Sequence, residues 1–222
     1  MTTGNGRAER RGGQKRMPRA VREQQMLDAA VAGFARHGYQ AASMDDIAEA
    51  AGVSKPLVYL YLKSKEELFS SCIRREGDSL HEAVRLGAGV SGPADQQLWN
   101  GLRAFFAHTS AHPDGWAVLS RARTQGEPFA SMVASLRTRL TDLVTELLAQ
   151  AAQDAGCDEE LADREVSGLA HALVGAAESL AGWSNSRQED RPSAKETAAV
   201  LMNFSWTGLG ALVKGERWRP TR

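Results

Sequence analysis

Apolar residues recur at helical spacing along most of this chain, and the first such stretch begins near Arg19. Its apolar positions follow the spacing i, i+3, i+4, i+7 and i+8 and are Leu27, Ala30, Val31, Phe34 and Ala35. This is the pattern of a helix with one buried face. Gly38 follows where a left-handed C-terminal cap would lie. We therefore predict a first helix from about residue 19 to Gly38.

Two short helices are predicted next, separated by a glycine turn. Ser43 precedes two aspartates, the second of them three residues on, and this capping pattern predicts a helix through about Ala51. Gly52 ends that helix. Ser54 is expected to cap a third short helix over residues 55–62, where a proline in the first turn is tolerated because first-turn amides have no intrahelical partner.

The remainder of the chain is predicted to be helical as well. Ser64 and Glu67 form a second capping box, which starts a long fourth helix. Apolar periods separated by Gly or Pro predict helices near residues 65–86, 94–111, 115–124, 127–153, 160–184 and 193–213. The sequence has no β-hairpin signal and no internal repeat. The predicted fold class is all-α, with a three-helix N-terminal head and a larger C-terminal helical domain.

Composition narrows the class of protein. A hydrophobic share of 42% and a charged share of 24% are typical of a globular protein with a buried core. No window approaches the run of about eighteen apolar residues that a membrane span needs. The basic first twenty residues lack the apolar run of a secretory signal. Cys72 and Cys157 are too few for a disulfide framework, so we expect packed or half-exposed thiols and a cytoplasmic location.

Charge is distributed unevenly although the net charge is zero. Residues 1–65 hold eleven Lys/Arg against six Asp/Glu, whereas residues 66–222 hold sixteen against twenty-one. Polyanion binding, if present, therefore belongs to the N-terminal third. Residues 1–17 are rich in Gly, Arg and Lys and are predicted to be a disordered basic arm. The predicted head then covers residues 18–65, and the helical domain covers residues 66–222.

The two short helices of the head have the residues that a helix-turn-helix requires. Such a motif needs a small residue where the helices touch, a turn glycine, and apolar residues that pin the pair to the core. Ala48 is the small contact and Gly52 is the turn. The inward-facing positions are Ile47, Ala51, Val53 and Val58. Generic helical hairpins can imitate these offsets, so the pattern alone leaves both structures open.

The stretch from Gly38 to Phe69 contains the segments IAEAAGVS and VYLYLKSKEELF. It closely resembles the head of TetR-type repressors, over roughly residues 19–70. The resemblance implies a helix-turn-helix that binds double-stranded operator DNA, a C-terminal regulatory domain with an effector cavity, and a homodimer formed through a four-helix bundle.

The resemblance also implies DNA contacts at individual positions. The Ser43 hydroxyl, the Tyr59 hydroxyl and the Lys65 ammonium would contact phosphates, and Lys55 would approach base edges or phosphate. The full predicted set is Ser43, Ser54, Lys55, Leu57, Tyr59, Leu60, Lys65, Arg16, Arg19 and Arg22. The three arginines would add phosphate or minor-groove contacts, although a solvated tail is an equal alternative. Tyr61 is expected in the core.

The recognition helix departs from the common family pattern at three positions. Pro56 and Leu57 stand where glycine and threonine are frequent, and Leu60 stands where a polar residue is usual. Such a helix is expected to rely on apolar contact with thymine methyls and on DNA shape.

The larger domain holds all five tryptophans, and its aromatic residues form either an ordinary core or an apolar cavity. The resemblance favours an effector cavity among the middle helices. The predicted pocket residues are Trp99, Phe105, His108, Trp116, Arg121, Phe129, Met132, His171, Glu178 and Trp183. A small hydrophobic or aromatic effector is the expected ligand.

Small residues form a strip along the eighth predicted helix. Gly168, Gly175 and Gly182 recur every seven residues, with alanines between them, and in the family the last two helices form the dimer interface. The predicted interface residues are Gly168, Gly175, Gly182, Phe204 and Trp206. A packing seam within one subunit is the alternative.

Signals for enzymes are weak. His108 and His112 have the spacing of a metal-ligand pair, but no HExxH and no third ligand accompany them. Gly208-Leu209-Gly210 lacks the third glycine and the preceding strand of a dinucleotide loop. We predict a non-enzymatic transcriptional regulator without cofactor or metal, most simply a repressor released by its effector. The alternatives are a regulator without an effector, an activator, and a helical carrier or enzyme with a vestigial head.

Overall fold

The computed structural model describes residues 18–154, 159–187 and 189–213, with side chains over 18–153, 165–187 and 189–206. All regular structure in these ranges is helical. The helices are α1 (Arg19–Ala41), α2 (Met44–Ala50), α3 (Lys55–Leu62), α4 (Lys65–Ala88), α5 (Ala94–Ala111), α6 (Pro113–Ala122), α7 (Phe129–Asp154), α8 (Glu159–Ser186) and α9 (Ala194–Val213). The prediction of an all-α fold is confirmed, and most predicted bounds lie within two residues of these. The predicted basic arm and Cys157 lie outside the described residues.

Gly38 interrupts α1 at the predicted place, but the chain does not leave the helix there. Gly38 has φ 76° and ψ 168°, a backbone conformation that side chains with a Cβ rarely adopt. The chain then makes one more turn, and the Ala42 amide donates to the Gly38 carbonyl at 3.1 Å. The end of α1 therefore bends toward α2 instead of stopping at the glycine.

Serine caps start α2 and α4, as predicted. The Ser43 hydroxyl accepts from the amides of Asp45 and Asp46 at 3.2 and 3.4 Å, and the Ser64 hydroxyl accepts from the Glu67 amide at 3.0 Å. These bonds satisfy amides that have no partner in the first turn.

The predicted Ser54 cap is wrong. Ser54 stands at the N-cap of α3 with extended backbone angles, but its side chain makes no capping hydrogen bond. Pro56 has no amide hydrogen to offer, and the Leu57 amide donates instead to the Ser54 carbonyl at 2.9 Å. The proline therefore replaces the cap: it fixes its own backbone angle and removes one donor that would need a partner.

Helix α4 is the central element, because it packs against α1, α5, α6 and α7. Gly77 lies at its close approach to α7: a Cβ there would lie 2.2 Å from Cδ1 of Leu136. Helices α8 and α9 complete the larger part, α8 against α7 and α9 against α5. Buried side chains form one continuous cluster from Met26 in α1 to Leu201 in α9. The head and the larger helical part therefore share a core.

An aromatic cluster joins the head to the larger part. Phe34 and Tyr39 of α1 meet Phe69 of α4 at ring-centroid distances of 4.8 and 5.0 Å. Phe129, the first residue of α7, lies 4.8 Å from both Tyr39 and Phe69. The perpendicular contacts at these spacings are the arrangement that aromatic rings prefer. This aromatic cluster places the start of α7 directly against the head.

Cys72 lies at the base of this region, fully buried in α4. Burial raises the pKa of its thiol to about 12, so the side chain stays protonated and unreactive at neutral pH. The prediction of a packed thiol is confirmed for Cys72.

Candidate DNA-binding surface and ligand cavity

The turn between α2 and α3 is closed by two backbone hydrogen bonds. The Gly52 amide donates to the Glu49 carbonyl at 2.9 Å, and the Val53 amide donates to the Ala48 carbonyl at 3.0 Å. With Gly52 at φ 64°, this pairing is a Schellman motif. Nothing lies within 4 Å of the Cβ that another residue would add there, so backbone conformation alone requires the glycine.

The same turn directs apolar side chains of the head inward. Ile47, Ala48 and Val58 are buried, and Val53 is partly buried against the core. The predicted scaffold of the helix-turn-helix therefore has the inward orientation that its spacing indicated.

Helix α3 presents an apolar outer surface. Leu60 is 73% exposed and Tyr59 is 40% exposed, while Leu57 is half-buried and Ser54 is exposed. An exposed leucine beside a tyrosine on a second helix of this kind suits contact with base methyls and the DNA backbone.

Lys55, at the first position of α3, is already paired. Its Nζ lies 2.9 Å from Oδ2 of Asp45 in α2, and the hydrogen bond to Asp45 raises the pKa of Lys55. The pair links the two helices across the turn. To contact DNA as predicted, the Lys55 ammonium would therefore have to leave the Asp45 carboxylate or bind the carboxylate and the DNA at once.

Ser43 and Lys65 lie at one corner of the head. Lys65 Nζ donates to the Gln40 carbonyl at 2.9 Å and lies 5.2 Å from the centre of the Tyr39 ring. Gln40 is three residues before Ser43, whose hydroxyl caps α2. A lysine ammonium beside a helix N-terminus combines two features that bind phosphate.

The predicted arginine contacts differ in their surroundings. The Arg19 guanidinium lies 5.0 Å from the centre of the Tyr61 ring, and Tyr61 is partly buried against the core. Arg22 is half-buried on α1. Arg16 lies outside the described residues.

A cavity of about 310 Å³ opens between α4, α5, α6, α7 and α8, at the lower end of the usual size for a small-molecule site. Its apolar wall consists of Leu80, Phe105, Trp116, Leu119, Val133, Leu136 and Leu140. Its charged lining residues are Arg123, Arg137 and Glu178. Apolar walls with a few converging polar groups are how ligand sites are usually built.

The three charged residues form one ion-pair cluster. Arg137 Nε donates to both Glu178 oxygens at 3.1 and 3.2 Å, and Arg123 Nη1 donates to Oε2 of Glu178 at 3.3 Å. Arg123 is the most exposed of the three side chains and Glu178 the least. Two guanidiniums thus share a single carboxylate beside an apolar wall.

A second cavity of about 40 Å³ adjoins the first. Phe105 and Leu140 line both cavities. The other residues around the second cavity are apolar residues or glycine, contributed by α4, α5, α7 and α8. Phe105 and Leu140 therefore lie between the two cavities.

Of the predicted pocket residues, Phe105, Trp116 and Glu178 line the larger cavity. Arg121 does not: its Nη1 donates to the Phe34 carbonyl of α1 at 3.4 Å. Phe129 belongs to the aromatic cluster at the head. The prediction is wrong for these two residues, because α6 and α7 turn these positions toward α1.

The other predicted pocket residues also lie elsewhere. Trp99 lies beneath Arg103, Met132 packs on the core, and the exposed His171 bonds to the Ser167 carbonyl at 2.8 Å. Trp183 is an exposed residue beneath Arg187. None of them lines the larger cavity, because each lies on a face of its helix that is turned away from that cavity.

The rings of His108 and His112 lie in contact, tilted by 39° with their centroids 4.5 Å apart. Burial, and secondarily the neighbouring His112, lower the pKa of His108. Within the described part of the chain, no three His, Cys, Asp or Glu side chains come close enough to hold a metal ion. Among the same residues, no helix is long and apolar enough to cross a membrane.

Helices α8 and α9 carry exposed apolar side chains. Phe204 is 78% exposed, and Val200, Trp206 and Trp183 also lie in solvent. Gly168 and Gly182 have open space around the position of a Cβ, whereas Gly175 faces the Arg137 guanidinium. Of the predicted glycine strip, Gly175 and Gly182 therefore line the larger cavity and Gly168 does not.

Sequence reasoning missed Arg123 and Arg137 as cavity residues. Their signal was available in part: Arg137 lies one position after Leu136 on a strongly periodic helix, a place where a long polar side chain can reach from an apolar face. Nothing local could distinguish Arg123 from Arg121, because the two differ only in which neighbouring helix they meet.

Comparison with known proteins identifies the family. Residues 26–72 match the family described as "Bacterial regulatory proteins, tetR family", and residues 94–208 match "Tetracyclin repressor-like, C-terminal domain". The two matches cover the helix-turn-helix and every cavity helix except the second part of α4, which contains Gly77 and Leu80.

Individual relatives agree with this family. The HTH-type transcriptional activator FasR of Mycolicibacterium smegmatis is 33% identical over 91% of this chain and 93% of its own length. The HTH-type transcriptional repressor SCO4008 of Streptomyces coelicolor is 32% identical over 50% of this chain and 61% of its own length. The crystal structure of a TetR-like regulator from Rhodococcus sp. RHA1 has a TM-score of 0.75 and 37% identity, covering 88% of this chain and 99% of that one. This chain therefore belongs to the TetR family and is a DNA-binding transcriptional regulator.

Proposed function

We propose that this regulator responds to a small amphipathic molecule that binds in the larger cavity and changes the affinity of the head for its operator. One observation carries the proposal. Helices α4, α6 and α7 each supply residues to the cavity wall, and the same three helices contact the head. A ligand that favours one arrangement of these helices would thereby bias the head.

The contacts between the cavity helices and α1 are specific. Arg75 of α4 lies 2.7 Å from Asp28 of α1, and Arg121 of α6 donates to the Phe34 carbonyl. Phe129 of α7 packs on Tyr39, the ring beneath Lys65. Each contact lies within about one turn of a cavity residue on its own helix, so a small helix shift would reach the corner of the head that holds Ser43 and Lys65.

Repression with release by the ligand is the first candidate. A second is activation, which is favoured by the relative of 33% identity over most of its length, because that protein is named an activator. Both share the cavity and the helix-turn-helix. They differ in the sign of transcription when the ligand is bound.

Operator retention in the presence of compounds tests the proposal. DNA flanking the gene is footprinted first, and amphipathic compounds are then titrated into the complex. Ser179→Phe, at the cavity wall, is expected to abolish the response while keeping operator affinity. Ser135→Phe, exposed on α7, is the matched control. Equal responses of the wild type and both variants would contradict ligand action through this cavity.

We also propose that Ser43, Tyr59 and Lys65 contact operator phosphates and that Leu57 and Leu60 face the bases. Lys65→Ala is expected to weaken binding to all sequences about equally and to flatten the plot of log affinity against log salt by about one unit. The physical reason is the loss of one phosphate-neutralising ammonium.

Fluorescence anisotropy over a salt series measures this effect. Lys195→Ala on α9, an exposed position far from the head, removes the same charge and should leave the slope unchanged. A changed base preference with an unchanged slope would show that Lys65 does not contact phosphate.

We further propose that the exposed apolar residues of α8 and α9 pack against a second copy of this chain, which would place two heads on a pseudo-palindromic operator. Phe204→Asp is expected to shift the protein from dimer to monomer, because an unpaired carboxylate would have to be buried. Sedimentation velocity measures the state. Leu86→Asp, at a position that is 58% exposed on α4, should remain a dimer; a dimeric Phe204→Asp variant would place the interface elsewhere.

A further inference from the structure

We infer that the effector is an anionic amphiphile whose acidic group binds Arg123 and Arg137 in the place now taken by the Glu178 carboxylate. The inference rests on the proposed function, in that it names the chemical class of molecule for the same cavity. Glu178 is then an internal competitor of the ligand's acidic group.

The ion-pair cluster already contains a bound carboxylate. Both oxygens of Glu178 are engaged, one by Arg137 alone and the other by Arg137 and Arg123 together. Guanidinium groups match carboxylate and phosphate oxygens better than ammonium groups do, because their donors lie in a fixed planar fork. A ligand carboxylate or phosphate would meet donors that are already arranged for it.

The arginines have capacity beyond Glu178. Arg137 uses Nε for the ion pair, while its Nη2 lies against Gly175, where an added Cβ would be only 3.5 Å away. The charged residues that line the cavity are two arginines and one glutamate, so the lining has an excess of one positive charge. A neutral ligand would gain nothing from this excess, whereas an anion would neutralise it.

The rest of the cavity suits an elongated apolar body. Below the ion-pair cluster the wall is Phe105, Trp116 and five aliphatic side chains. The second cavity continues past Phe105 and Leu140 and is apolar throughout. A single-chain amphiphile fits this order, with its acidic end at Arg123 and its tail toward α5.

Competition by Glu178 gives a distinctive expectation. Glu178→Gln keeps the shape and one hydrogen-bond acceptor but removes the charge, leaving both arginines without an anion. Decanoate should then bind about tenfold more tightly than it binds to the wild type. The affinity for decanol, which has the same chain and no charge, should change by less than about twofold.

The experiment measures binding of decanoate and decanol below their micelle-forming concentrations, by calorimetry and by tryptophan fluorescence, since Trp116 lines the cavity. The full chain is used without DNA. Glu82→Gln, which removes one carboxylate from the exposed pair with Arg85, controls for net charge and should leave both affinities unchanged. Arg123→Gln, at the most exposed member of the cluster, should weaken the binding of decanoate severalfold and leave the binding of decanol unchanged.

Each outcome decides the inference. A decanoate gain confined to Glu178→Gln, with the opposite change in Arg123→Gln, supports it. Equal affinity for decanoate and decanol in Glu178→Gln overturns the anionic class but leaves the ligand cavity in place. Absence of binding by both probes also overturns it, and the proposed function is then judged separately by operator release and Ser179→Phe. If Glu178→Gln does not fold, the Arg123→Gln comparison alone supports or overturns the inference.

Discussion

Phe69→Ala is expected to lower the free energy of unfolding by about 3–5 kcal/mol, the range for truncating a buried phenylalanine. Phe69 is 1% exposed and is the ring in the aromatic cluster that contacts Phe34, Tyr39 and Phe129 together. Truncation removes the transfer free energy of the ring and leaves a cavity between α1, α4 and α7. The ring's aromatic partners also lose contacts worth about 0.5–1.5 kcal/mol beyond area burial.

Urea unfolding at one fixed protomer concentration measures this change, because the proposed dimer would make apparent stability depend on concentration. Leu86→Ala, at an exposed position of α4, should alter stability by less than about 0.5 kcal/mol. Phe69→Leu should fall between the two, since it keeps much of the apolar volume. A Phe69→Ala protein within about 1 kcal/mol of the wild type would mean that the cluster does not hold the head on the larger part.

Leu60→Asp is expected to reduce operator affinity about a hundredfold, equivalent to about 2.7 kcal/mol. Leu60 is the most exposed apolar residue of α3. A carboxylate there would face a DNA surface whose phosphates carry the same sign of charge, and like charges placed together across an interface cost several kcal/mol. Because the side chain is in solvent, folding stability should change by less than about 0.5 kcal/mol.

Anisotropy with the footprinted operator measures the affinity, and urea unfolding measures the stability. Leu60→Asn removes the apolar contact without adding a charge, and it should reduce operator affinity much less than Leu60→Asp does. Leu86→Asp adds the same charge to α4 and should leave operator affinity near the wild-type value. Retained affinity in Leu60→Asp would show that this face of α3 is turned away from DNA.

The helix-turn-helix was predicted from sequence nearly to the residue because its determinants are local. Ser43 and Ser64 cap helices whose first amides lie two or three residues away. Gly52 satisfies a turn whose hydrogen bonds span only five residues. The error at Ser54 also has a local cause, since Pro56 removes an amide that the serine would have capped.

The cavity was predicted only in part. Phe105, Trp116 and Glu178 were expected there and line it, while Arg121 and Phe129 meet α1 instead. Helical periodicity identifies which side chains are buried, but a helix packed on several sides has more than one buried face. Which neighbour each face meets depends on helices far away in the sequence.

The domain boundary expected at residue 65 remains a prediction. Helix α4 starts there and belongs to both parts, since Phe69 packs in the head and Gly77 lines the cavity. The head and the larger part are therefore connected by one continuous helix. We propose that α4 transmits the ligand signal for that reason.

The sequence by itself determined the all-α class, the caps, the glycine turn and the family, because backbone conformation and hydrogen bonding over a few residues decide them. Only the tertiary structure decided that Arg123 and Arg137 converge on Glu178, that Phe129 reaches Tyr39, and that Lys65 is held by the Gln40 carbonyl. These contacts join residues that are 25 to 90 positions apart in the sequence. At such separations the packing of helices, and not local helix propensity, decides which residues meet. The physical reason is that burial is non-directional and rewards any apolar neighbour, so the particular partner is chosen by how whole helices fit together.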